Sequence, residues 1–159
     1  MTDNNLVKVP IAINSNEVKR EFLLAEKTST GSFIIRSIPA FTYGYGLGDE
    51  IEVINESAGQ VSLVKRANNI VIRLFKIGSL NIDIVDDFVN AIESKGGVYE
   101  IGTNAKSEKE SSLLLVSFPL TYGFRNIEKD MKVFSSDDYN WEYGNIYDEN
   151  GDPIGWWKN

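Results

Sequence analysis

The chain has no histidine and no cysteine. Without histidine there is no Ser-His-Asp triad, no His-Cys pair, no His-Glu-x-x-His zinc chemistry and no imidazole base. Without cysteine there are no disulfides, no thiolate metal sites and no thiol nucleophile. Phosphate fingerprints are missing as well. Gly44-Tyr45-Gly46-Leu47-Gly48 is rich in glycine, but its spacing is wrong and no helix signal follows it, so it reads as a turn. No apolar run approaches the roughly 18 residues of a membrane span. The polar start, Met1-Thr2-Asp3-Asn4-Asn5, has neither the basic region nor the apolar stretch of a signal peptide. The expectation is a cytoplasmic protein with no cofactor, no metal and no membrane contact.

What is present is acid, unevenly placed. The net charge is −7, which argues against direct nucleic-acid binding. Val133 to Asn159 holds six carboxylates (Asp137, Asp138, Glu142, Asp148, Glu149, Asp152) against one base, Lys158. The same stretch holds all three tryptophans, Trp141, Trp156 and Trp157, with Tyr139, Tyr143 and Tyr147. Carboxylates steer encounter with a basic protein, and large aromatics supply contact area at low entropic cost. The plainer alternative is a final strand followed by a solvated acidic turn.

At 159 residues the chain can bury a core as one domain or two small ones. The first half reads as short strands: Val7–Ile13 around Pro10, then 21–26 and 32–38 joined by a turn ending at Gly31, then segments at Ile51–Val53 and Val61–Leu63. These predict a small antiparallel sheet or partial barrel over 1–67. From Ile70 the pattern changes. A strong strand, Ile70–Ile77, precedes a helix over 81–95 that buries Val85, Phe88, Val89 and Ile92, capped by Asn81 or Ser79 and ended by Gly96-Gly97. Strands at 98–102 and 113–118 follow. Phe124, Ile127, Met131 and Phe134 recur at helical spacing, and a final strand is predicted over 140–147. The order β-α-β-β-α-β predicts a ferredoxin-like α+β unit over 68–148, with both helices on one face, and an acidic tail over 149–159. Ser37-Ile38-Pro39-Ala40-Phe41-Thr42-Tyr43-Gly44-Tyr45 echoes Ser117-Phe118-Pro119-Leu120-Thr121-Tyr122-Gly123-Phe124. The echo marks either two equivalent loops sharing an aromatic surface or a chance similarity of two strand exits.

Gly31-Ser32-Phe33-Ile34-Ile35-Arg36-Ser37-Ile38-Pro39-Ala40-Phe41, followed by Gly46-Leu47-Gly48-Asp49-Glu50-Ile51, resembles a bacterial domain-of-unknown-function family, number 4265. Trp141-Glu142-Tyr143 is similar to that family's closing Trp-x-Tyr, and the resemblance runs from Glu21 to Tyr147. The family's polar Ser-Gly turn is replaced here by Ala67-Asn68-Asn69. The resemblance implies no established activity, but it suggests a setting among bacterial polymorphic toxin systems.

Three functions stay open. The first is an immunity protein, not an enzyme, that neutralises a cognate toxin domain of basic character such as a nuclease. Its expected contacts are Asp137, Asp138, Tyr139, Trp141, Glu142, Tyr143, Asp148, Glu149, Asp152, Trp156 and Trp157, with the loops at Tyr43 and Tyr122 as the next candidates. The second is a small-ligand sensor or scaffold. The third is an enzyme using a carboxylate pair, Asp49 with Glu50 or Asp137 with Asp138.

Overall fold

The computed structural model describes residues 5–13 and 19–158. The opening residues 1–4, singled out above for their polarity, and the terminal Asn159 lie outside the described residues. The first five strands form one antiparallel sheet in sequence order: β1 (Leu6–Ala12), β2 (Arg20–Lys27), β3 (Phe33–Ile35), β4 (Glu50–Asn55) and β5 (Gln60–Lys65). Alternation turns Val9, Ile11, Leu23, Ala25, Ile35 and Ile51 onto one face, where they make a core of their own. Pro10 is tolerated because β1 lies at the edge of the sheet. The sheet curls until the end of β1 meets the turn between β4 and β5, where Ala12 N–H donates to Gly59 C=O at 2.9 Å. A Cβ on Gly59 would sit 2.6 Å from that nitrogen, so only glycine permits the approach.

The second unit comprises β6 (Asn69–Ile77), α1 (Ile82–Glu93), β7 (Val98–Thr103), β8 (Ser111–Pro119), α2 (Phe124–Met131) and β9 (Tyr139–Tyr143). Its strands lie in the order β7-β8-β6-β9, every pair antiparallel. Among the described residues the fold is therefore α+β, with two antiparallel sheets and two α-helices. Asn81 caps α1 by accepting from Ile84 N–H, and the helix buries Val85, Phe88, Val89 and Ile92. Past α2 the chain tightens into a 3-10 turn, Lys132–Phe134, which brings Phe134 inward. Residues of both helices join Ile70, Ile72, Leu74, Leu114, Val116 and Phe118 in one core. The opposite face of the sheet carries Val71, Leu113 and Leu115, packed beneath Ile38, Ala40 and Leu47 of the segment between β3 and β4. Among the described residues no helix is long and apolar enough to cross a membrane.

Two expectations need correction. The last strand ends at Tyr143 instead of reaching Tyr147. Beyond Gly144 the Asn145 side chain takes over the ladder, accepting from Val71 N–H at 2.9 Å and donating to Asn69 C=O at 2.8 Å. Freed from the strand, Ile146 turns into the helix-side core. The echoed loops do not share a surface either. Tyr122 stacks on Phe118 of the helix-side core, whereas Tyr43 lies over Arg73 beside the opposite face. The echo reflects two similar strand exits on opposite sides of one sheet.

Candidate partner-binding cleft

Arg73 organises the non-helical face. It is 1% exposed, and its guanidinium donates to the carbonyls of Phe41 and Thr42. The Tyr43 ring covers it at 5.0 Å, and Glu142 lies 3.6 Å away. Burial pulls the Arg73 pKa down, and the Glu142 charge works against that shift. From the first sheet, Glu21 of β2 grips the same loop: its carboxylate accepts from the N–H groups of Ala40, Phe41 and Thr42 and from the Thr42 hydroxyl. A cation below and an anion beside it thus fix Tyr43.

The fixed ring forms one wall of a cleft of about 510 Å³ lined by Tyr43, Trp141, Glu142, Tyr143, Tyr147, Asp148, Glu149 and Gly151. The cleft follows the outer margin of β9, where side chains from both faces of the sheet can meet. Trp141 packs edge-on to Tyr143 at 5.2 Å, and Tyr143 lies 6.5 Å from Tyr147. Tyr143 is held from behind by Phe124 and by a 3.3 Å hydrogen bond to Glu128, and burial raises its pKa well above the ordinary phenol value. Asp148 spends Oδ1 on the N–H groups of Asn150 and Asp152, which builds the turn that forms the far wall. A second cleft of about 330 Å³ adjoins the first. It shares Tyr43, Asp148 and Glu149 and adds Tyr45 and Ile154.

Trp141, Glu142, Tyr143, Asp148 and Glu149 of the predicted contact set therefore come together. Asp137, Asp138 and Tyr139 line a separate opening near Lys76 at the start of β9. Asp152 closes the turn, its carbonyl accepting from Asp148 N–H at 2.8 Å. Trp156 and Trp157 fold back onto the helix-side core. Trp156 donates to Asn145 C=O at 2.8 Å and lies under Arg66, while Trp157 meets Phe124 edge-on at 5.9 Å. Sequence reasoning left Tyr147 out of the contact set and kept Tyr43 in reserve. Tyr43 had a signal, its place after Pro39 in a Gly-rich turn. Tyr147 had only its membership of the aromatic tail.

The carboxylate pairs are placed differently. Asp49 is 1% exposed and accepts from Gly46 N–H, Ala67 N–H and Arg66. Its neighbour Glu50 accepts from the Ser32 hydroxyl. Both thus have structural partners, whereas Asp137 and Asp138 are exposed. Among the described residues no three ligating side chains gather as a metal site.

Residues 21–143 match the family model described as a domain of unknown function, DUF4265. No curated protein matches the chain. A solved structure of a hypothetical protein from Neisseria gonorrhoeae is similar, with a TM-score of 0.60 and 19% sequence identity over 88% of this chain and 93% of that one. At that identity the likeness concerns the fold alone.

Proposed function

The chain belongs to the DUF4265 family, and on that footing we propose that it is an immunity protein: a non-enzymatic binding protein that captures a basic toxin domain, such as a nuclease, in the cytoplasm and neutralises it by contact. One observation carries the reading. The side chains lining the cleft beside β9 are four aromatics and three carboxylates, with no base among them. Such a lining attracts cationic protein surface by charge and holds it by ring faces and contact area. A nuclease must be basic where it binds phosphate, so an acidic inhibitor competes for that surface and gains a fast encounter. The ferredoxin-like reading of the second unit belongs to the same proposal. The order β-α-β-β-α-β supports it, as does the placement of β6 between β8 and β9.

The test is to search the neighbouring genes for a toxin module and to co-express that module with this chain. Cell survival together with a stable complex on size exclusion is the expected result. Neither survival nor a complex would end the proposal. A small-ligand module is the second reading. It is favoured by the volume of the cleft, about 510 Å³, which falls within the roughly 300–1,000 Å³ typical of small-molecule sites. A thermal shift with small organic cations but no toxin complex would select it.

A further inference from the structure

The margin of β9 differs from the other margin of its sheet. Among the described residues β9 is an outer strand paired with β6 alone. Ile77 N–H donates to Asp138 C=O, and Gly144 N–H donates to Val71 C=O. Residues 138 and 144 therefore point their backbone toward β6, and alternation assigns Asn140 and Glu142 the same direction. The N–H and C=O groups of Trp141 and Tyr143 then face outward. The strand reads Tyr-Asn-Trp-Glu-Tyr, without the lysine or proline that commonly blunts an open edge. The opposite margin, β7, carries a register shift between Ile101 and Thr103, a device that discourages pairing. Beside the open margin lies the aromatic and acidic cleft, so outward backbone groups and cation-seeking side chains share one place.

We propose that β9 is a strand-addition site: an extended basic segment of the protein partner pairs with the outward backbone of Trp141 and Tyr143 and places an arginine side chain in the cleft. The inference rests on the immunity reading for its partner, and it adds the manner of recognition. Backbone pairing supplies register, and alternate side chains of the added strand supply specificity. Arginine suits the cleft because a planar guanidinium can stack on a ring while its fork meets a carboxylate. Glu142 is the carboxylate best placed for this. It is half exposed, and its pairing with Arg73 at 3.6 Å is loose. Asp148 is committed through Oδ1 to its own turn.

The experiment titrates the full chain with acetyl-Thr-Arg-Val-Arg-Thr-amide and follows backbone amide and indole resonances by NMR. Two further peptides leave the protein untouched. One replaces both arginines with citrulline, which removes charge and keeps shape. The other carries a backbone N-methyl group at the central valine, which keeps charge and blocks pairing. Saturable shifts centred on the Trp141 and Tyr143 amides are expected, with affinity reduced at least tenfold for each altered peptide. At about 0.3 M salt, where long-range attraction is screened, Glu142→Gln should weaken the parent peptide severalfold, whereas the Asp137→Asn/Asp138→Asn variant should bind as wild type does. No saturable binding, shifts centred elsewhere, or equal binding of the N-methylated peptide overturns strand addition. Toxin protection by a chain that binds both arginine peptides equally would sink this inference and leave the immunity reading intact. Strand-selective binding without protection would do the reverse.

Discussion

Single side chains carry backbone duties in this molecule. Asn145 stands where β9 can no longer supply a ladder, and its amide serves Val71 N–H and Asn69 C=O. Asn145→Ala would strand two buried backbone groups at about 1–3 kcal/mol each. A loss of roughly 2–6 kcal/mol is expected in urea denaturation, with the m-value unchanged. Asp49 is a second case, and it titrates. Burial raises its carboxyl above the ordinary 3.8, outweighing the N–H groups of Ala67 and Gly46 and the Arg66 charge, which pull the other way. Between 3.8 and the raised native value the folded chain therefore binds more protons than the unfolded chain. The Asp49 contribution to stability then grows as pH falls through that window and shrinks as pH rises. The stability of wild type relative to Asp49→Asn should thus increase from about pH 7 to about pH 4. Paired denaturation curves check it, and a difference that falls on acidification would show that the hydrogen bonds outweigh burial.

At the scale of elements, α1 stands on its own periodicity. Val85, Phe88, Val89 and Ile92 face the core, and Asn81 closes the first turn. Val89→Ala should cost about 1–3 kcal/mol through lost burial and a partly filled cavity. Asn81→Ala should cost about 1 kcal/mol through the lost cap. Chemical denaturation measures both, and a neutral Val89→Ala would contradict the packing of the helix. α1 was legible because its face, cap and Gly96 stop are all local signals. The curled first sheet was legible for the same reason, since β1 to β5 follow one another in alternating runs separated by turns. β9 misled because Trp-Glu-Tyr-Gly-Asn-Ile-Tyr keeps alternating after the strand has ended. The break depends on distant residues. A Cβ on Gly144 would meet Val71 at 2.7 Å and Arg73 at 2.9 Å, and Asn145 needs β6 beside it. The cleft was half legible for a similar reason. Trp141, Glu142 and Tyr143 are neighbours in sequence, but Tyr43 arrives from nearly a hundred residues upstream, placed by Arg73 and Glu21.

In the whole molecule, part of the acidic charge lies apart from the aromatic contact area, so the two should act at different stages of binding. Asp137 and Asp138 are exposed and lie away from the aromatic cleft. They can attract a basic partner at a distance without being buried against it. Trp156 is held by Asn145 and covered by Arg66, so it serves the fold first. Trp156→Ala should therefore lower the melting temperature before any effect on binding can be read. Tyr147 is the better probe of contact, since it is 42% exposed and lines the cleft. With a basic toxin domain as partner, reversing Asp137 and Asp138 to lysine should slow association severalfold at low salt. The effect should fade near 0.3 M, where screening shortens the reach of exposed charges to well under about 10 Å. Tyr147→Ala should leave association nearly unchanged and raise the dissociation rate, because a packed ring acts after docking. Kinetics at two salt concentrations, beside thermal melts that stay at the wild-type value for both variants, decide the matter. Charge-reversed chains that associate as fast as wild type at low salt and still protect cells would show that the partner is steered by another surface.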